Sequence, residues 1–177
     1  MKKEINTYNL EIREDFAKGI ENYKLPLFSE IPDIGLFLEQ ATKFVSQYLE
    51  PLGCISITGS MISNYVKKKI IDNPVKKQYY REQIAEIFFI GIAKSVLSLE
   101  EIQKLLEIRR EKYDTESAYE YFCEELRNVL KYVFGFVSEL EPFDDDGLKE
   151  KALLRKIIVA VAYKVYLSES FNQESTK

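Results

Sequence analysis

Apolar residues recur at helical spacing over most of the chain, and turn residues divide them into segments. Leu10, Arg13, Phe16, Ala17 and Ile20 form a weak stripe that predicts a short N-terminal helix or arm ending near Gly19. The run LPLFSEIP then places a proline near each end of an apolar stretch, which predicts an extended entrance to the main domain. From Asp33 onward Ile34, Phe37, Leu38, Ala41, Phe44, Val45, Tyr48 and Leu49 share one face of a 3.6-residue repeat. That pattern predicts a helix, and Pro51 and Gly53 end it.

Thr58 is placed to cap a short second helix, with Ile57 and Ile62 as its hydrophobic staple. Its inward face is Met61, Ile62, Tyr65 and Val66, and its outward face is Ser60, Ser63, Asn64, Lys67 and Lys68. A turn at Asn73 and Pro74 follows. Residues 81–96 carry Ile84, Ile87, Phe88, Phe89, Ile90, Ile92 and Val96, apolar nearly all round, which predicts a buried spine. Ser98 and Glu101 form a capping box for a helix with Leu99, Ile102, Leu105 and Leu106 on one face. Two further amphipathic helices are predicted, over residues 115–134, closed by Gly135, and over about 148–169. The acidic turn between them holds Asp144, Asp145 and Asp146, with Asp146 as the cap of the last helix.

This pattern predicts a mainly helical, all-α protein in three parts. Residues 1–32 form an arm, 33–110 a winged helix-turn-helix-like domain with a minimal wing, and 111–177 a C-terminal helical hairpin. The long apolar faces of the last two helices need a partner. They are candidates for a homodimer interface within residues 115–170, or for packing back on the main domain.

Charge sharpens the reading of the middle segment. Between Thr58 and Arg81 six cations face one anion, Asp72, so this stretch carries +5 in a chain of net charge −4. An acidic protein that gathers its positive charge in one short segment has the field of a nucleic-acid contact surface. In a groove-reading helix of residues 59–69, Ser60, Ser63, Asn64 and Lys67 are the candidates for base edges. Asn64 suits adenine and Lys67 guanine. Lys68, Lys69, Lys76, Lys77, Tyr79 and Arg81, the last four in or beside a wing over residues 72–79, are the candidates for phosphates. The partner expected is double-stranded DNA.

Other chemistry has little to build on. The chain has no histidine, so the commonest general base is missing. No nucleophile with a base, and no phosphate-binding glycine loop, is visible in it, and no enzyme or cofactor is expected. Cys54 and Cys123 lie far apart, which is read as two buried free thiols and no zinc site. The aspartates of the acidic turn lack the alternating ligands of a calcium loop. No leader peptide or apolar run of membrane-spanning length is found, and a cytoplasmic location is the expectation.

The run MISNYVKKKII followed by a proline, and then YYREQIAEIFFIGIAKSVLSLEEIQKLL, resembles the DNA-binding domain of MerR-type transcription regulators over residues 58–106. Tyr79, Ile84, Ile87, Ile90, Ala93, Lys94, Ser98, Leu99, Glu100, Glu101 and Ile102 fall at or near the places of that family's pattern. The resemblance implies a sequence-specific regulator that dimerises through the helices after its reader. The chain departs from it where MerR-type proteins carry Gly-Leu after the recognition helix: Lys69 and Ile70 stand there, and the glycine before the SLEEI helix is missing. The whole chain, with its opening LPLFSEIPDIGLFLEQATKFV, is also similar to a bacterial family known only as a domain of unknown function. The alternative to a regulator is a protein-interaction module that keeps a MerR-like fold without reading DNA.

Overall fold

The computed structural model describes residues 12–142 and 149–174, and among these it is mainly helical. Leu10 and the aspartates at 144–146 fall outside the described residues. The first helix, α1 (Glu14–Glu21), buries Ile20, and just beyond it the Tyr23 hydroxyl donates to the Tyr48 carbonyl at 2.9 Å. Between Pro26 and Pro32 the chain is not extended throughout. Phe28–Glu30 winds into one 3-10 turn, because the Glu30 carboxylate accepts the Leu27 amide at 2.8 Å.

The next helix starts later than its apolar stripe suggests. Leu36–Phe37 form a strand, β1, which pairs antiparallel with β2 (Gln78–Tyr79), Leu36 opposite Tyr79 and Phe37 opposite Gln78. Gly35 permits this approach, since a Cβ there would lie 2.7 Å from the Cβ of Gln78. Helix α2 (Leu38–Leu49) therefore begins after the pair, with Ala41, Val45 and Leu49 inward, while Ile34 stays 74% exposed. Gly53, at φ 70°, reverses the chain after a 3-10 turn.

Helix α3 (Gly59–Lys67) is capped as expected, the Thr58 hydroxyl accepting the Met61 amide at 3.3 Å. Helix α4 (Arg81–Ala93) is the buried spine, with Ile84, Ile87, Phe88 and Ile90 fully enclosed. It stops short of Val96, where the Ser95 hydroxyl donates to the Ile92 carbonyl at 2.7 Å and turn bonds replace the helical ladder. Helix α5 (Leu99–Lys112) has its capping box intact: the Ser98 hydroxyl accepts the Glu101 amide at 3.2 Å, and the Glu101 carboxylate accepts the Ser98 amide at 2.8 Å. Helix α6 (Thr115–Val133) is capped by Asp114, which accepts the Ser117 amide at 2.8 Å, and closed by Gly135 at φ 78°. The last described helix is α7 (Lys149–Glu174).

The core is one cluster that runs from Ile20 to Val165. Helix α6 lies at its centre, packed on α1, α4 and α7. Phe88 meets Phe44 and Tyr48 edge-on at 6.0 and 5.8 Å, and Phe89 meets Phe122 at 5.2 Å. Ile157, Ile158, Val161, Ala162 and Val165 of α7 are buried within the same chain, so this face finds its partner internally. Leu153, Tyr163, Leu167 and Phe171 remain exposed on the outside of α7. One thiol departs from expectation: Cys54 is exposed in the loop after Gly53, whereas Cys123 is half-buried and burial pushes its thiol up to about 12. Among the described residues no helix is long and apolar enough to cross a membrane.

Candidate nucleic-acid interface

The two faces of α3 separate cleanly. Ile62 and Tyr65 are buried, Met61 and Val66 half-buried, and Ser60, Ser63, Asn64, Lys67 and Lys68 are exposed. The 3.6-residue repeat accounts for this division, because Met61 and Ile62 are followed four positions later by Tyr65 and Val66. Among the described residues nothing covers Ser63 or Asn64.

The end of α3 is a Schellman motif. The Lys69 amide donates to the Val66 carbonyl and the Ile70 amide to the Tyr65 carbonyl, both at 2.9 Å. Ile70 and Tyr65 are both buried, which supplies the apolar contact that goes with this motif. The geometry requires a left-handed residue between them, and Lys69 takes it at φ 58°. This is a position that glycine ordinarily fills.

A second turn repeats the choice. Val75 and Gln78 exchange backbone hydrogen bonds of 3.0 and 2.9 Å across a two-residue turn, with Lys76 at φ 50° and Lys77 at φ 65°. Positive φ at both central positions is the type I′ arrangement, in which Asn-Gly is the favoured pair. Among the described residues Lys69, Lys76 and Lys77 are the non-glycine residues with positive φ. Each left-handed L residue costs roughly 1 kcal/mol, so the chain accepts strain at three lysines of one segment.

Lys67, Lys68, Lys69, Lys76 and Lys77 are all exposed, and none has an acidic partner among the described residues. Two residues expected beside them serve the fold instead. Tyr79 is 4% exposed; its place in β2 turns the ring into the core, and burial raises its hydroxyl pKa, so it offers no phosphate contact. Arg81 donates from Nε to the Ile31 carbonyl at 2.8 Å and stacks over Phe28 at 5.7 Å, with Asp33 nearby, so its guanidinium is committed to the chain. Both departures follow from long-range partners that residue spacing does not reveal.

The turns are held from behind. The Gln83 side-chain amide donates to the carbonyls of Asp72 and Asn73 at 3.0 and 3.3 Å. Arg110 of α5 donates to the Ile70 carbonyl at 3.0 Å while paired with Glu86 of α4 at 2.9 Å, and Arg109 pairs with the same carboxylate. Gln83 and Arg110 are thus supports of the basic segment, and neither carries a periodic or motif signal in the sequence. The Tyr65 hydroxyl is buried with no hydrogen-bond partner among the described residues, and burial raises its pKa to about 12.

Residues 26–122 match the model of a domain of unknown function, DUF1836. The chain belongs to that family. The matched span is just over half of the chain and takes in α2 to α5 and the first part of α6, so it holds both lysine clusters and the residues that support them. No curated protein and no solved structure matches the chain.

Proposed function

We propose that the protein is a DNA-binding transcription regulator in which α3 enters a groove and the turn at Lys76 and Lys77 acts as a minimal wing on the flanking backbone. The observation that carries this reading is the set of five exposed lysines without acidic partners among the described residues, three of them in a strained left-handed conformation, in a chain of net charge −4. Lysine is a poor residue for such turns, and a gain from its charge offsets the strain only where an external anion is met. Short polar groups at the start of α3, Ser60, Ser63 and Asn64, with Lys67 one turn on, suit base edges first and phosphates after. Lys69 and Lys76 are seven residues apart and therefore no more than about 25 Å, a span that one groove and its flanking strands cover.

The MerR-like architecture belongs to this reading, with Lys69 taking the left-handed place of that family's glycine. Dimerisation, needed to read two half-sites, falls to the exposed stripe of α7 at Leu153, Tyr163, Leu167 and Phe171. A cytoplasmic setting goes with it.

A second reading, a protein-interaction module, has its own support. Val75 and Phe37 both lie opposite Gln78, so the three side chains form a cross-strand row, and Val75 and Phe37 are 57% and 52% exposed. An apolar row beside a basic turn fits a protein partner as well as a nucleic acid. The experiment that separates the two is a gel shift with the DNA upstream of the protein's own gene and an unrelated duplex, on wild type and on Lys67→Ala/Lys77→Ala. The regulator reading expects preference for the upstream duplex and a loss in the double variant. Affinity unchanged in the variant, or binding to neither duplex at low salt, moves the assignment to the interaction module.

A further inference from the structure

Beside Glu86, residues of α4, α5, α6 and α7 line a half-open pocket of about 310 Å³. Its walls are mainly apolar, with Phe89 from α4, Leu105 from α5, Ala118 and Phe122 from α6 and Leu154 from α7. A concave, mainly apolar pocket of this volume, with a few polar groups on its wall, has the character of a small-molecule site.

The polar groups of the wall say what that occupant is. Arg109 is paired with Glu86 and donates to the Thr115 hydroxyl at 3.0 Å, and Glu150 is paired with Lys112. Ser117 donates to Asp114 at 2.8 Å, the Tyr119 hydroxyl to the Pro26 carbonyl at 3.0 Å, and Lys151 lies over the Tyr121 ring at 5.2 Å. One lining group is left over. The Tyr113 hydroxyl is buried and has no hydrogen-bond partner among the described residues. Of the two buried tyrosine hydroxyls without a partner, Tyr65 and Tyr113, Tyr113 is the one that lines this pocket, where an acceptor on a ligand completes its hydrogen bonding.

We propose that this cavity is a binding site for a neutral, largely apolar small molecule that carries one hydrogen-bond acceptor, received by the Tyr113 hydroxyl. A charged ligand would bring an ion into a pocket whose own charges already compensate one another. The cavity touches the basic segment through one bridge, Arg109 to Glu86 to Arg110 to the Ile70 carbonyl. Ligand binding itself does not depend on whether that segment meets DNA.

The test uses two probes of one shape, 1-tetralone with a carbonyl and tetralin without. Each is titrated into the full chain with methyl-labelled leucines observed by NMR. Leu105 and Leu154 resonances shift while Leu36, on β1 and not part of the pocket wall, does not, and the ketone binds about 3- to 10-fold more tightly, the ratio that one net hydrogen bond gives. Tyr113→Phe removes the preference and keeps tetralin binding, and Ala118→Leu, which fills the space, abolishes both. The proposal is overturned if neither probe moves these leucines, or if the preference for the ketone survives in Tyr113→Phe. Should Ala118→Leu fail to fold, Tyr113→Phe decides alone, since it removes only an unsatisfied hydroxyl.

Discussion

The two sides of Glu86 use positive charge in opposite ways. Toward α5, α6 and α7 four cations lie against carboxylates: Arg109 and Arg110 with Glu86, Arg155 with Glu125, Lys112 with Glu150. Glu86, Arg109, Glu125 and Arg155 are mostly shielded from water, and their pairs bind helix to helix. Toward α3 and the 75–78 turn five lysines stand in solvent with no acidic partner among the described residues, and three hold a backbone conformation that disfavours lysine. The charge of those four is consumed by the fold, whereas that of the five lysines is left for something outside.

The strongest way to break the contrast is to remove Glu86. Glu86→Ala strands two guanidiniums, one of them 16% exposed, and is expected to cost about 3 kcal/mol, a fall of roughly 6–12 °C in Tm by calorimetry. Next in size, Lys67→Ala/Lys77→Ala lowers affinity for DNA by roughly 10- to 100-fold while Tm stays within about 1 °C of wild type, because no internal partner is lost. A large loss of stability in this double variant would place its lysines in the first class.

Lys76→Asn/Lys77→Gly tests the strain directly. Chemical denaturation should show a gain of about 1 kcal/mol, since Asn-Gly fits the turn, and the salt dependence of DNA binding should weaken by about two phosphate contacts. Stability and affinity are thus predicted to move in opposite directions. The smallest effect concerns the helix caps. Backbone and side-chain hydrogen bonds from Ser98 and Ser117 hold the Glu101 and Asp114 carboxyls below their ordinary range. Their contribution is complete above the unfolded value of about 4 and is lost as pH falls through the lower folded one, so an acid titration of Tm declines there and flattens in Glu101→Gln.

Much of this was legible in the chain, and what was not shares one cause. Thr58, Ser98 with Glu101, and the outward face of α3 are local features, fixed by residues three or four positions apart. The pairing of Leu36 with Tyr79 and Phe37 with Gln78 joins positions 43 and 41 apart, and it shortens α2 and buries Tyr79 with no local sign. Arg81 and Arg110 bond to distant backbone carbonyls, which no side-chain pattern encodes. Left-handed lysines were hidden because glycine is the residue that announces such turns, and here it is absent.

The most direct test of the five-lysine face is the slope of log K against log salt for duplex DNA, measured by fluorescence anisotropy on the wild-type chain. Contact by all five lysines predicts a slope of about −4.5, at 0.9 per phosphate, falling to about −2.7 in Lys67→Ala/Lys77→Ala. A slope near zero, or one that the double variant leaves unchanged, would contradict the account.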